Sequence, residues 1–237
     1  FILIASGVAE VTGIFLYLRA LRHEDTSTVV PFFQVIPIFS FVLGFLILGE
    51  ILTMTQTLAG LGVIIGGVLL SLDISTERKV QFRWSLAVLM IASSFCFALF
   101  DVLFKYGAVR ESYWTGIFWQ HVGILLAGLA VFCFHRHARE GFLASLQESR
   151  GVNISLNLIN ELFYVGGVLF FLFALTLAPV AIVATVNAFQ PVFVFIFGAL
   201  LTLIFPKYIN EDISKKHLFH KGLSIAIIVI ASVFLVS

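Results

Sequence analysis

Apolar blocks of about 20 residues, separated by short polar stretches, run the whole length of the chain. A helix of about 20 apolar residues crosses roughly 30 Å of hydrocarbon. Eight such spans can be drawn, at about 1–21, 28–49, 54–72, 84–106, 113–134, 155–177, 180–205 and 218–236. Each is expected to be helical, because irregular backbone in lipid leaves N–H and C=O groups unpaired. The longest polar connections are HRHAREGFLASLQESRG (135–151) and PKYINEDISKKHLFHK (206–221). Both are too short for a separate domain. The pattern predicts an all-α polytopic membrane protein with eight transmembrane helices in this chain. It opens on Phe1, within an apolar run, so an upstream stretch is expected.

Polar residues inside the blocks break the pattern. The second span, PFFQVIPIFSFVLGFLILGE, holds two prolines, a glutamine, a serine and glycines. Pro31 falls in its first turn, where a missing N–H costs little. Pro37 is interior, so it removes a bond from the Phe33 carbonyl and bends the helix. At 100° per residue, Gln34, Pro37, Ser40 and Gly44 form one stripe. The stretch Gly49-Glu50 reads as the exit from the membrane, glycine ending the helix and glutamate sitting in water.

The chain also matches itself at a shift of 154 positions. Gly13 falls on Gly167, Pro37 on Pro191 and Gly44 on Gly198, in register and without gaps. The second copy repeats the polar stripe as Asn187, Gln190, Pro191 and Gly198. Three spans make up the first copy and five the second, so two further helices upstream would give five plus five. An odd-numbered unit enters the membrane from the opposite side when repeated. Inverted repeats of this kind mark secondary transporters, whose substrate site lies near the midplane between the repeats.

Composition agrees. The chain is 60% hydrophobic and only 11% charged, against roughly 25% charged in soluble domains. A net charge of +1 leaves no basic face for nucleic acid, so none is expected as a partner. Twelve of the fourteen Lys and Arg residues fall on alternate loops, and only Lys105 and Arg110 on the others. The positive-inside rule places the basic face in the cytoplasm. Trp84, Tyr113 and Trp114 stand at span ends as interfacial anchors. Cys96 and Cys133 lie in apolar segments and read as small buried hydrophobes.

The stretch ALRHEDTSTVVPFFQVIPIFSFVLGFLILGE, followed by GLGVIIGGVLLS, resembles the EamA-like family of the drug/metabolite transporter superfamily. The shared marks are the AL pair before a short turn, a proline within the next helix, an LGE stop and a glycine-rich last helix. The second copy, ALTLAPVAIVATVNAFQPVFVFIFG, keeps the AL pair and the proline but has LIFPKYINED where LGE would stand. The resemblance implies ten transmembrane helices in two inverted repeats, with 1–73 a partial first repeat and 84–237 the second. It implies export or exchange of small metabolites, no enzymatic activity and no cofactor. Its usual topology, with both termini in the cytoplasm, is opposite to the orientation given by the charge bias. The cell (plasma or inner) membrane is the expected location.

Ionisable groups inside a span are costly and are candidates for function. Glu10 lies about 11 residues, roughly 16 Å, from the end of its helix, close to mid-bilayer. Gly7, Gly13 and Tyr17 share its face, leaving room for a ligand, a cation or water. A carboxyl there suits proton coupling; a structural carboxyl bonded to a neighbouring helix is the other reading. Glu161 falls one helical turn from the Glu10 position in the repeat, with Asn157, Asn160 and Tyr164 on its face. Asp101 and Lys105, at i and i+4, read as a structural ion pair. Gln120 and His121 are adjacent and so face different directions; a lone membrane histidine more often bonds a neighbour than binds a ligand. The HRH cluster at 135–137 has no acidic or cysteine partners suited to a metal site. Gly62 and Gly66 form a GxxxG, which packs helices within one chain more readily than it makes a homodimer. The favoured function is secondary transport of a small organic metabolite, proton-coupled or by exchange. The alternative is a non-transporting membrane scaffold or complex subunit assembled through its glycine faces.

Overall fold

The computed structural model describes residues 1–22, 29–71, 84–148, 152–187, 189–204 and 215–236, and all regular structure among them is helical. Helix α1 is Ile2–Leu21. A 3-10 turn, Val30–Val35, leads into α2 (Ile36–Leu43), which closes in a π-helical turn, Gly44–Leu48. Then follow α3 (Met54–Ser71), α4 (Trp84–Ala108), α5 (Tyr113–Phe134) and α6 (Arg136–Glu148). The chain continues as α7 (Val152–Leu177), α8 (Val180–Asn187), α9 (Gln190–Ile204) and α10 (Lys215–Val236).

Among the described residues, five segments are long and apolar enough to span a membrane: Ile2–Leu21, Pro31–Leu48, Trp84–Ala108, Tyr113–Phe134 and Leu158–Leu177. Three others, Met54–Leu70, Val180–Val194 and Lys221–Phe234, are shorter apolar helices. The chain is an integral membrane protein. The basic loop residues Arg78, Lys79, Arg83, Arg150 and Lys207 lie outside the described residues.

Phe1–Thr12 and Leu99–Ala178 form one compact unit; Gly13–Ala98 and Pro179–Ser237 form another. Each draws on both of the sequence segments 1–73 and 84–237. In the second unit α3 lies along α10, and glycines set the spacing. A Cβ at Gly62 would come within 2.9 Å of Ala231 Cβ, and one at Gly66 within 2.6 Å of Ile228 Cγ1. Val63, Leu70, Val192 and Ile228 close that contact as a buried cluster.

Local sequence explains the helix ends. Thr53 and Gln56 form a reciprocal cap on α3: Gln56 N–H donates to Thr53 Oγ1 at 3.2 Å, and Thr53 N–H to Gln56 Oε1 at 3.1 Å. Ser112 Oγ accepts from Thr115 N–H at the start of α5. Gly49 ends the π-turn with φ +68°, a left-handed conformation that favours glycine.

Three expectations change. The connection 135–151 contains a helix, α6. Ala138 and Phe142 lie one turn apart on it, and the Phe142 ring meets Phe132 edge-on at 6.0 Å. Cys133 is exposed rather than buried, because lipid accepts an apolar side chain as readily as a core does. Glu50 does not simply sit in water. Its Oε2 accepts the Val180 N–H at 2.8 Å and so caps the first turn of α8. The left-handed Gly49 turns the chain back so that this carboxylate can reach the helix start.

Candidate functional site

The first unit holds a buried polar cluster inside apolar helices. Its geometry begins with two glycines. A Cβ at Gly7 of α1 would strike the Gln120 carbonyl and approach Ile124 N to 2.7 Å; a Cβ at Gly123 of α5 would strike the Ile4 carbonyl. The two backbones therefore touch where both residues lack side chains, the small-residue contact that membrane helices favour. Glu10 lies one turn after Gly7, and Gln120 one turn before Gly123, so the crossing brings their side chains together.

Gln120 Nε2 donates to Glu10 Oε2 at 2.5 Å. Tyr164 of α7 donates its hydroxyl to Glu10 Oε1 at 3.0 Å. Glu10 is 4% exposed and Gln120 wholly buried, whereas Tyr164 is 47% exposed. The phenol is thus the outward side of the cluster. Asp101 of α4 is buried and within electrostatic range of Glu10. His121 is within range of Glu10 as well, but its Nδ1 lies 2.9 Å from the Ile117 carbonyl of its own helix. Glu161, one turn before Tyr164, is exposed and within electrostatic range of that phenol. Asn160 is also exposed; the side chain of Asn157 lies outside those described. Gln120 Oε1 is buried and has no hydrogen-bond partner.

The Lys105 ammonium donates to the Ala178 carbonyl at 2.6 Å, at the C-terminal end of α7. A lysine there complements the helix dipole.

The stripes around the prolines lie in the second unit. Pro37 is the second residue of α2 and Pro191 the second residue of α9, so both copies restart a helix at the same register, 154 positions apart. The Phe33 carbonyl that Pro37 cannot serve accepts the Ile36 N–H in a tighter turn. The neighbouring Phe32 carbonyl accepts Ser94 Oγ–H at 3.1 Å. Gln34, Pro37, Ser40 and Gly44 are all buried. The Gln34 amide lies against Gly67, in the space a Cβ there would occupy, and Glu50 Oε2 lies 3.0 Å from a Cβ built on Gly44. In the second copy Asn187 and Gln190 are exposed and Pro191 is half-buried. The two stripes, alike in sequence, differ in surroundings.

Gln120 was noted in the sequence beside His121, but its partner Glu10 was not seen. Its signal was its spacing: an amide three before a glycine on one helix, a carboxyl three after a glycine on another. The Glu10–Tyr164 contact had a signal too, because the 154-residue shift places Glu10 directly on Tyr164.

Residues 1–72 match the EamA-like transporter family, which bears out the resemblance seen in the sequence and points to a membrane transporter of the drug/metabolite class. No curated protein matches the chain. A protein of known crystal structure is similar over 98% of this chain and 73% of its own, with a TM-score of 0.66 and 13% identity. At that identity the likeness concerns the fold alone.

Proposed function

We propose that the chain is part of a secondary transporter that moves a small organic metabolite across the cell membrane by alternating access between inverted repeats. Coupling runs through Glu10, by protons or by exchange. The observation that carries this reading is the hydrogen bond between Glu10 and Tyr164. These residues occupy the same position in the two copies. A residue that touches its own counterpart lies beside the axis relating the copies, which is where transporters built from inverted repeats hold their substrate.

Two further features support it. Both copies interrupt a helix at the equivalent proline, and broken helices are what such transporters use to expose backbone and amide groups to cargo. The buried amides and carboxyls are costly for a lipid-embedded chain and call for a role. On this reading Glu10 and Tyr164 lie on the coupling path with Glu161 at its exposed side. Gln34, Pro37, Ser40, Asn187, Gln190 and Pro191 line the moving helices. A scaffold would need glycine faces free for a partner, but those of Gly62 and Gly66 are filled by α10 of the same chain.

The test is reconstitution of the full-length protein in liposomes and uptake of a metabolite panel, with and without a pH gradient. Movement of at least one solute, lost in Glu10→Gln, is the expected result. No movement of any solute under either condition refutes the reading.

A further inference from the structure

Helix α6 is joined to the end of α5 by a single residue, His135. A straight continuation of α5 would carry Phe142 about 15 Å beyond Phe132 at the rise of an α-helix. Instead the two ring centroids lie 6.0 Å apart, so α6 turns back across the end of α5. His135 makes that turn. Its backbone is extended, its carbonyl accepts the Arg139 N–H at 3.2 Å, and its ring Nδ1 accepts the Ala138 N–H at 3.2 Å. It caps α6 as a short polar side chain would. Because α5 has membrane-spanning length, its end marks the edge of the hydrocarbon, and α6 runs along that edge. At about 100° per residue, Ala138, Phe142, Arg139 and Leu143 share one arc of α6, and Arg136, His137 and Glu140 fall outside it. Phe142 and Leu143 are about half exposed. Arg136 is paired with Glu140 at 2.7 Å. Arg139 is half-buried, and its guanidinium has no partner among the described residues.

We propose that α6 is an interfacial helix that holds a phospholipid of the surrounding bilayer. Phe142 and Leu143 enter the acyl-chain boundary, and Arg139 takes the headgroup phosphate. The chemistry matches on both counts. An amphipathic helix in the interface buries its apolar face about 5–10 Å deep and keeps its charges among the headgroups. An arginine on that face reaches the polar layer along its flexible stem, and its planar fork binds phosphate through two N–H groups at once. The ring contact with Phe132 makes the apolar face of α6 continuous with the end of α5, where Phe134 is almost wholly exposed. A water-soluble partner would have to enter the hydrocarbon edge to cover the same residues. The inference does not depend on transport.

The experiment uses the full-length protein with Cys96→Ala and Cys133→Ala, reconstituted in nanodiscs of phosphatidylcholine and phosphatidylglycerol. Ala138→Cys, Phe142→Cys, His137→Cys and Glu140→Cys are made one at a time and spin-labelled. Collisions with oxygen, which concentrates in lipid, and with a water-soluble nickel chelate are read by power saturation. Labels at the Ala138 and Phe142 positions should favour oxygen, and those at the His137 and Glu140 positions the chelate. The same preference at all four positions, for either reagent, overturns the inference. Low access to both reagents at the Ala138 and Phe142 positions means that protein covers the face, and overturns it too. The phosphate contact is read from the melting temperature in detergent, titrated with phosphatidylglycerol. Arg139→Gln should raise the half-saturating concentration about fivefold. Arg136→Gln combined with Glu140→Gln, which leaves the net charge of the helix unchanged, should not. An unchanged response in Arg139→Gln overturns the assignment of the phosphate to Arg139.

Discussion

Gly7→Ala is the smallest change that tests how the Glu10 site is built. The new methyl group would strike the Gln120 carbonyl and lie 2.7 Å from Ile124 N and 3.0 Å from Gly123 C. All three neighbours are backbone atoms of α5, which cannot rotate away as a side chain would. Ordinary contact for a carbon is about 3.5–4.0 Å, so α1 and α5 must part by roughly 0.5–1 Å. The Gln120–Glu10 bond, now 2.5 Å, then stretches to about 3.3 Å and weakens sharply. Overpacking costs about 1–3 kcal/mol, and a hydrogen bond to a charged group is worth about 1.5–3 kcal/mol. Alanine returns about 0.5–1 kcal/mol of helix propensity. The net loss is about 3 kcal/mol, or roughly 6–12 °C in melting temperature for a chain of this length. Thermal unfolding in detergent at a fixed scan rate measures it. Gly128→Ala is the matched control on α5, because a Cβ there meets nothing within 4 Å. A Gly7→Ala protein that melts within about 2 °C of the parent refutes the proposed backbone contact and the route by which Gln120 reaches Glu10.

Other substitutions separate fold from function. Tyr164→Phe removes one donor to Glu10 from a ring that is nearly half exposed, so the melting temperature should hold within about 2 °C while the transport rate in liposomes falls; unchanged transport would remove Tyr164 from the coupling path. Glu50→Ala takes the cap from α8 and should cost about 0.5–2 kcal/mol in thermal unfolding, whereas Glu50→Gln keeps an acceptor and should cost less; equal losses would mean that charge alone matters there. Gly66→Val drives a side chain into Ile228 and the Ser224 carbonyl and should lower the melting temperature by several degrees, with Gly222→Ala, which meets nothing, as the silent control. Glu140→Gln breaks the Arg136 ion pair (2.7 Å), whose side chains are 80% and 51% exposed; exposed pairs contribute little, so no measurable change in melting temperature is expected.

How much of this was legible in the sequence depends on which interactions set each feature. Five of the eight expected spans were legible because hydrocarbon thickness fixes helix length and polar residues punctuate it; the other three are shorter apolar helices. The helix restarts at Pro37 and Pro191 were legible for a local reason: proline lacks an N–H wherever it stands. What decides Gln120 is not local. Its neighbours in sequence, Trp119 and His121, reveal nothing of α1. Only the pairing of Gly7 with Gly123 brings the amide to Glu10, and that pairing spans more than 100 residues. Glu50 misled for the same reason. A carboxylate after Gly49 looks like a solvated helix stop, and its real partner, the Val180 N–H, lies 130 residues away. Lipid also removes a usual guide. In water an apolar residue points inward, but here Phe170 and Leu162 are exposed while Glu10 and Asp101 are buried.

The two copies of the proline helix are alike in sequence and unlike in setting, and the difference has a direction. Glu50 reaches the start of α8, and α2 lies against α8 along that end. The position equivalent to Glu50 in the second copy is Ile204, which is exposed and cannot cap anything. Gln34 is buried against Gly67, while Asn187 and Gln190, which flank the equivalent position 188 in the second copy, are exposed. A carboxylate at a helix N-terminus contributes about 0.3–1 kcal/mol, up to about 2 when partly buried. Two access states that differ by this one contact would therefore be populated unequally, by a factor of about 2 to 30. Under the proposed alternating access, the LGE motif is then more than an exit mark. Because only one copy carries it, the contact favours closure at the end where it forms.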